Sequence, residues 1–214
     1  RVFYLSTPPS YFPDIVAKLS AHNLIYNVNE TSDKWSRIII EKPFGEDLPS
    51  ALALQKELSR YLDESQIYRI DHFLGKETVQ NLLVFRFSNP IFEFLFNNHH
   101  VDNVQITVSE EIGIGTRGKF FEEAGMLRDM VQNHMMQLLS LIAMEAPAAL
   151  KPSEIHNEKV KVLDCIRPFK QGSFDAFAVR GQYGPGIMHA EEVKGYRQED
   201  NVSPNSNVET YAAL

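Results

Sequence analysis

The chain has 214 residues and a mass of 24.4 kDa, and 43% of its residues are hydrophobic, so it can bury the core of one domain or of parts of two. A formal net charge of −7 argues against broad nucleic-acid binding, and no apolar run approaches the ~20 residues that span a bilayer. The single cysteine, Cys165, excludes an internal disulfide, and with no recognisable secretion signal we predict a cytoplasmic protein.

Strand and helix patterns alternate along the first third of the chain. Apolar runs predict strands at 2–5, 37–41 and 67–70, and helical spacing predicts helices at 13–21 and 49–62. This β-α-β-α-β order is typical of a parallel sheet covered by helices. Functional groups of such sheets gather beyond the carboxyl ends of the strands, where Lys42, Asp71 and His72 fall.

The pattern changes after a helix that begins near Lys76. Val104, Ile106 and Val108 alternate with polar residues, which predicts a half-exposed antiparallel strand and a second domain. Further helices are predicted at 120–144 and 154–165, and further strands near 176–183 and 210–214. Both chain ends fall on strand patterns and the first residue is not Met, so we interpret the chain as a fragment of a longer protein.

Residues 69–77 combine acidic, imidazole and ammonium groups where a strand passes into a helix. Amide N–H groups at a helix start favour an anion, and His72 and Lys76 add cationic donors that suit a phosphate. The alternative interpretation is a capped helix with solvated charges, in which Asp71 is the cap. The residues alone leave both interpretations open.

Four segments match, in the same order, motifs of one enzyme family: EKPFG at 41–45, RIDHFLGKE at 69–77, LRDMVQNH at 127–134 and EKVKVL at 158–163. On these motifs the chain resembles the glucose-6-phosphate dehydrogenase family. The resemblance implies an α/β plus α+β fold. Residues 1–71 would be the C-terminal part of a Rossmann-like, parallel-sheet, dinucleotide-binding domain. Residues 72–214 would be the N-terminal part of an antiparallel-sheet substrate and dimerisation domain.

The resemblance also implies the reaction and its central residues. The complete protein, a homo-oligomer, would oxidise glucose 6-phosphate to 6-phospho-D-glucono-1,5-lactone with NADP as hydride acceptor. His134 matches the general base that accepts the C1 hydroxyl proton, and Asp71 would orient it. Lys42 would contact both the sugar and the nicotinamide, and Pro43 permits a cis peptide after it. From the residues alone, His134 would be a core histidine and Lys42 a surface lysine.

The remaining site residues are those that would hold the substrate. His72 and Lys76 match the phosphate-binding positions of the family, and Phe73 replaces a tyrosine that is frequent beside them, so a hydroxyl is lost there. Glu110 and Asp129 match acidic residues that hold sugar hydroxyls. Only the resemblance separates these two from ordinary surface carboxylates at positions 111, 122 and 123.

Other patterns and functions carry less weight. The G-x-G-x-x-G run at 113–118 lacks the βαβ unit of a dinucleotide site, so we interpret it as a flexible connection. His99 and His100 have no companion ligands at metal-binding spacing, and we predict no metal. The competing functions are a non-catalytic sugar-phosphate-binding module and Schiff-base chemistry at Lys42. The family carries its dinucleotide loop upstream of the position of Arg1, so we expect the isolated fragment to be inactive.

Overall fold

The structure is a computed structural model, and it describes residues 1–26, 28, 33–170 and 172–214. The chain forms two compact units, Arg1–His72 and Phe73–Leu214. Among the described residues, no helix combines the length and the apolar character that crossing a membrane requires.

The first unit is a parallel sheet with helices, as the sequence predicts. Its strands are β1 (Val2–Leu5), β2 (Arg37–Ile40) and β3 (Ile67–Arg69), and its helices are α1 (Phe12–Ala21) and α2 (Leu48–Leu58). The strands lie parallel in the order β1-β2-β3, with Ile40 of β2 opposite Leu5 of β1 and Arg69 of β3. The carboxyl ends of all three strands therefore lie at one edge of the sheet.

One apolar core holds this unit together. Ile38 and Ile40 of β2 and Phe12 and Val16 of α1 are at most 1% exposed, and they share one cluster with Leu58 of α2. Phe12 and Val16 lie four residues apart and so share one helix face. Burying side chains of this size contributes about 1.5–3 kcal/mol each, which fixes the helices on the sheet.

The second unit is mainly helical with two small antiparallel sheets. Its helices are α3 (Glu77–Phe87), α4 (Pro90–Leu95), α5 (Gly118–Met126), α6 (Met136–Ala143) and α7 (Pro152–Cys165), with a π-helical segment (Leu127–Met135) between α5 and α6. Its strands are β4 (Val179–Gly181), β5 (Gly186–Met188), β6 (Glu191–Val193) and β7 (Tyr211–Ala213). Strand β4 pairs with β7, and β5 pairs with β6. The predicted mixture of parallel-sheet and antiparallel-sheet regions is confirmed.

Two predicted elements of this unit are wrong. The helix expected at 120–144 is interrupted at Gly125, whose φ of 70° and ψ of 172° cannot continue a helix, and a π-helical segment follows. The strand expected at 104–108 is absent, since residues 101–110 form no regular element. A strand requires a hydrogen-bonded partner, and the described strands of this unit pair with one another.

A buried arginine of helix α3 is hydrogen-bonded to the C-terminal part of α6. The Arg86 side chain is 4% exposed, and its Nη1 donates to the carbonyl oxygen of Leu141 at 2.8 Å. Burial lowers the pKa of the Arg86 guanidinium. Val79, Leu141 and Met144 form a core cluster between the same two helices. The arginine thus satisfies a carbonyl near a helix C-terminus, where a cation is favoured.

Two residues of the glycine-rich run 113–118, which we interpret from the sequence as a flexible connection, are buried in the second unit: Ile114 and Gly118. Ile114 lies in a core cluster with Phe121 and Tyr196. A Cβ atom on Gly118 would lie 2.1 Å from the backbone oxygen of Asp200. Gly118 is therefore required for close packing between the start of α5 and the segment around Asp200.

We expect the Gly118→Ala substitution to destabilise the protein by about 1–3 kcal/mol, because backbone must move to admit the methyl group. Thermal unfolding of the complete protein measures the effect. Gly186→Ala is the matched control, since a Cβ at Gly186 would meet nothing within 4 Å. Equal melting temperatures for the two variants would contradict the packing role of Gly118.

Candidate functional site

Three polar candidate residues lie at the carboxyl edge of the parallel sheet. Lys42 follows β2, and Asp71 and His72 follow β3, its immediate neighbour. The pairing extends past β3, since the Ile70 N–H donates to the Ile40 carbonyl at 3.1 Å. Lys42 and Asp71 are half-buried and His72 is exposed. Open parallel sheets bind their ligands at this edge, so the arrangement suits a binding site.

A tyrosine from the first strand supports the turn that carries Lys42. The Tyr4 hydroxyl donates to Glu41, the residue just before Lys42. This bond to a carboxylate raises the pKa of the Tyr4 phenol. The Lys42–Pro43 peptide bond is cis. Sequence reasoning did not find the Tyr4–Glu41 pair, because nothing in the local pattern indicates a contact between residues 37 positions apart.

In the second unit, Phe73 joins two candidate residues. Its ring stacks on the His134 imidazole, with a centroid separation of 4.1 Å and an interplanar angle of 11°. Lys76 Nζ lies 3.7 Å from the centre of the same ring. The Phe73 ring is therefore in contact with both an imidazole and an ammonium group. Phe73, which lacks the hydroxyl of the frequent tyrosine, thus packs against a histidine and an ammonium group.

The candidate base is deeply buried on the π-helical segment. His134 is 0% exposed and Asp129 is 7% exposed, and both lie on this segment. They are five residues apart, which would place them on different faces of an α-helix with 3.6 residues per turn. In a π-helix, hydrogen bonds join residues i and i+5, so positions five apart lie one turn above another. The π-helical geometry therefore gives Asp129 and His134 a common face.

Glu110 has a different setting from Asp129. It is exposed, and its carboxylate forms an ion pair of 3.8 Å with Arg117. Both residues line an open depression of about 590 Å³ together with the glycine-rich run and Glu199. The carboxylate of Glu110 is thus paired with an arginine of the glycine-rich run. Phe73, His134 and Lys76 are not among the residues that line this depression.

A buried polar network anchors the helix that precedes the π-helical segment. Tyr196 and Ser206 donate to Glu122 Oε1 of α5 at 2.6 and 2.5 Å. Burial opposes the charge of Glu122, but these bonds and one from the Ser203 N–H outweigh it and lower the pKa of Glu122. Burial, with the bond to Glu122, raises the pKa of Tyr196. Glu122 is therefore a structural anchor, which its sequence context does not distinguish from a surface carboxylate.

Comparisons with known proteins agree with the motifs. A family model described as the NAD binding domain of glucose-6-phosphate dehydrogenase matches residues 1–81, and one described as its C-terminal domain matches residues 83–214. The chain is 56% identical to glucose-6-phosphate 1-dehydrogenase of Chlamydia pneumoniae, over 100% of this chain and 41% of that protein. It is 49% identical to the Bacillus subtilis enzyme of the same name, over 100% of this chain and 42% of that protein.

A solved structure agrees in fold as well as in sequence. A glucose-6-phosphate dehydrogenase in complex with its substrate glucose-6-phosphate matches with a TM-score of 0.85 and 37% identity, over 99% of this chain and 41% of that chain. The chain thus spans about two fifths of the length of the curated relatives it matches.

Proposed function

Because the chain belongs to the glucose-6-phosphate dehydrogenase family, we propose that the complete protein oxidises glucose 6-phosphate to 6-phospho-D-glucono-1,5-lactone with NADP as hydride acceptor. The observation that carries this proposal is the buried His134 stacked on Phe73, with the Lys76 ammonium group over the same ring. A base and a cation lie against one aromatic ring. The base suits removal of a proton from the sugar, and the cation suits binding of the phosphate on the same sugar.

His134 is the proton acceptor in this reaction. The C1 hydroxyl proton passes to its imidazole, the C1–H bond breaks with both electrons leaving as hydride, and the C1–O bond becomes the carbonyl of the lactone. A positioned base of this kind contributes roughly 10²–10⁴ in rate. The face stacking of Phe73 holds the imidazole plane in one orientation. Asp71 is the carboxylate that orients the base, a role that rests on the family resemblance.

Charged side chains hold the two ends of the substrate. Lys76 is exposed apart from its contact with Phe73 and provides three N–H donors for the phosphate group, and His72 provides another. Asp129 and Glu110 accept hydrogen bonds from sugar hydroxyls, roles that rest on the family resemblance. Asp129 lies on the same π-helical segment as His134, so binding of the sugar and removal of the proton depend on one element.

The cofactor site lies at the carboxyl edge of the parallel sheet. Lys42 follows β2 there and provides a half-buried cation, which fits an anionic dinucleotide. NADP, when bound, accepts the hydride. Residues 1–71 are the part of the chain that we assign to the dinucleotide-binding domain and residues 72–214 the part that we assign to the substrate domain. A cytoplasmic homo-oligomer is the state that we propose for the complete protein.

The experiment is a reduction assay with the complete protein. We expect absorbance of reduced nicotinamide to rise with glucose 6-phosphate and NADP, and to stay at background with either compound alone. Calorimetric titration with glucose 6-phosphate measures binding separately. Binding without reduction would contradict the proposal and would identify a non-catalytic sugar-phosphate-binding module. Absence of binding would contradict both functions.

A further inference from the structure

The start of the π-helical segment meets a residue from the end of the chain. The Met126 N–H donates to the Glu209 carbonyl oxygen at 3.1 Å, and the Leu127 N–H donates to Glu209 Oε1 at 3.2 Å. The first N–H groups of a helix have no partner within the helix. One residue therefore satisfies two consecutive N–H groups where the segment begins, and its negative charge suits a helix N-terminus.

Gly125 makes the close approach of Glu209 possible. Its φ of 70° lies in the left-handed region that favours glycine. A Cβ atom at this position would lie 2.8 Å from Glu209 Oε1, too close for a carboxylate that does not move. The break between α5 and the π-helical segment thus depends on a glycine and on the carboxylate that lies against it.

Glu209 is itself held by the β4–β7 sheet. The next residue, Thr210, donates its N–H to the Gly181 carbonyl at 2.9 Å, and its hydroxyl accepts the Tyr183 N–H at 2.9 Å. Strand β7 begins immediately afterwards, at Tyr211, and pairs with β4. The sheet therefore fixes the position of Glu209, and Glu209 in turn holds the start of the π-helical segment.

We propose that Glu209 is a positioning residue for the site on the π-helical segment. Its carboxylate fixes the first turn, and the first turn sets the placement of Asp129, two residues beyond Leu127, and of His134, seven residues beyond it. This inference rests on the proposed function for its effect on turnover. Its effect on the helix start does not depend on which reaction the protein catalyses.

The test compares three variants of the complete protein: Glu209→Ala, Glu209→Gln and, as control, Glu192→Ala on the exposed hairpin strand β6. For each variant we measure kcat, KM for glucose 6-phosphate, and hydrogen–deuterium exchange of the amides at 126–131 by mass spectrometry. The glutamine variant keeps an oxygen that can accept the Leu127 N–H, so it tests the hydrogen bond without the charge.

We expect Glu209→Ala to lower kcat about tenfold or more, within the roughly hundredfold that a 1 Å displacement can cost. KM should rise as well, because Asp129 lies on the same π-helical segment, but by a smaller factor than kcat falls, since Lys76 at the start of α3 lies outside that segment and holds the phosphate in our proposal. Exchange at 126–131 should accelerate. Glu209→Gln should recover most of kcat, and Glu192→Ala should match the unaltered protein.

Two results would overturn the positioning role. One is an unchanged kcat and unchanged exchange in Glu209→Ala, and the other is a folded Glu209→Gln variant that recovers no activity. If the unaltered complete protein does not oxidise glucose 6-phosphate, the proposed function fails, and the exchange comparison still decides whether Glu209 fixes the helix start.

Discussion

Replacing His134 with asparagine is expected to lower kcat of the complete protein by roughly 10²–10⁴-fold, with a much smaller change in affinity for glucose 6-phosphate. Asparagine retains a polar side chain of similar size but cannot accept the C1 hydroxyl proton. Because the lost interaction exists only in the transition state, kcat and kcat/KM should fall together. Steady-state kinetics of NADP reduction and calorimetric titration of the sugar phosphate provide the two measurements.

His156→Asn is the matched control for this substitution. His156 is exposed on α7, and the change removes the same imidazole from a position outside the candidate site. The base assignment would be contradicted if His134→Asn retained near-normal turnover. A parallel loss of affinity and turnover would contradict it too, because that outcome means that the stack with Phe73, and not proton removal, is what the histidine supplies.

The Lys76→Ala substitution is expected to weaken binding of glucose 6-phosphate roughly 10–100-fold. A hydrogen bond to a charged group is worth about 1.5–3 kcal/mol, and Lys76 contributes its ammonium group to the phosphate in our proposal. Glucose itself carries no phosphate, so any kcat/KM that the protein has for glucose should be unaffected by the change. The measurement is the ratio of kcat/KM values for the two sugars in the altered and unaltered protein.

Lys119→Ala serves as the control for lost positive charge, since Lys119 is an exposed lysine of α5 in the same unit. We expect its kcat/KM ratio to equal that of the unaltered protein. If Lys76→Ala lowered kcat/KM for glucose and for glucose 6-phosphate by the same factor, Lys76 would support the Phe73 ring and not the phosphate.

The elements that local patterns determine could be predicted from the sequence. The Ile38–Ile40 run predicts a buried strand and forms β2, and residues 154–165 lie within α7 (Pro152–Cys165). Pairing of β2 with its neighbours in a parallel sheet follows from the alternation of strands and helices. These features depend on the spacing of apolar residues over a few turns, which the sequence shows directly.

The π-helical segment could not be predicted in the same way. Its start depends on hydrogen bonds from Met126 and Leu127 to Glu209, which is 82 residues from Leu127 in the chain. The available signal was Gly125, an isolated glycine within a helical pattern, which can mark an interruption. Without the partner residue, the glycine alone does not say how the helix continues.

The same distinction holds for the candidate site, whose residues could be identified but whose side-chain packing could not. Motifs of the family placed His134, Asp129, Lys76 and Phe73 in one site by resemblance, and the residues alone did not. The stack of Phe73 on His134 could not be predicted, because the loss of a hydroxyl at position 73 suggests a missing hydrogen bond and not a packing role. Side-chain packing of this kind depends on where the residues that precede α3 lie against the π-helical segment.

The most direct test of the central claim is transfer of deuterium from C1 of glucose 6-phosphate. The complete protein is incubated with NADP and with glucose 6-phosphate deuterated at C1, and the reduced cofactor is analysed by mass spectrometry. We predict that the reduced nicotinamide carries the deuterium, and that His134→Asn forms the same labelled product at a far lower rate. Bound sugar phosphate with no labelled cofactor, or label formation that is equally fast without the His134 imidazole, would contradict the account.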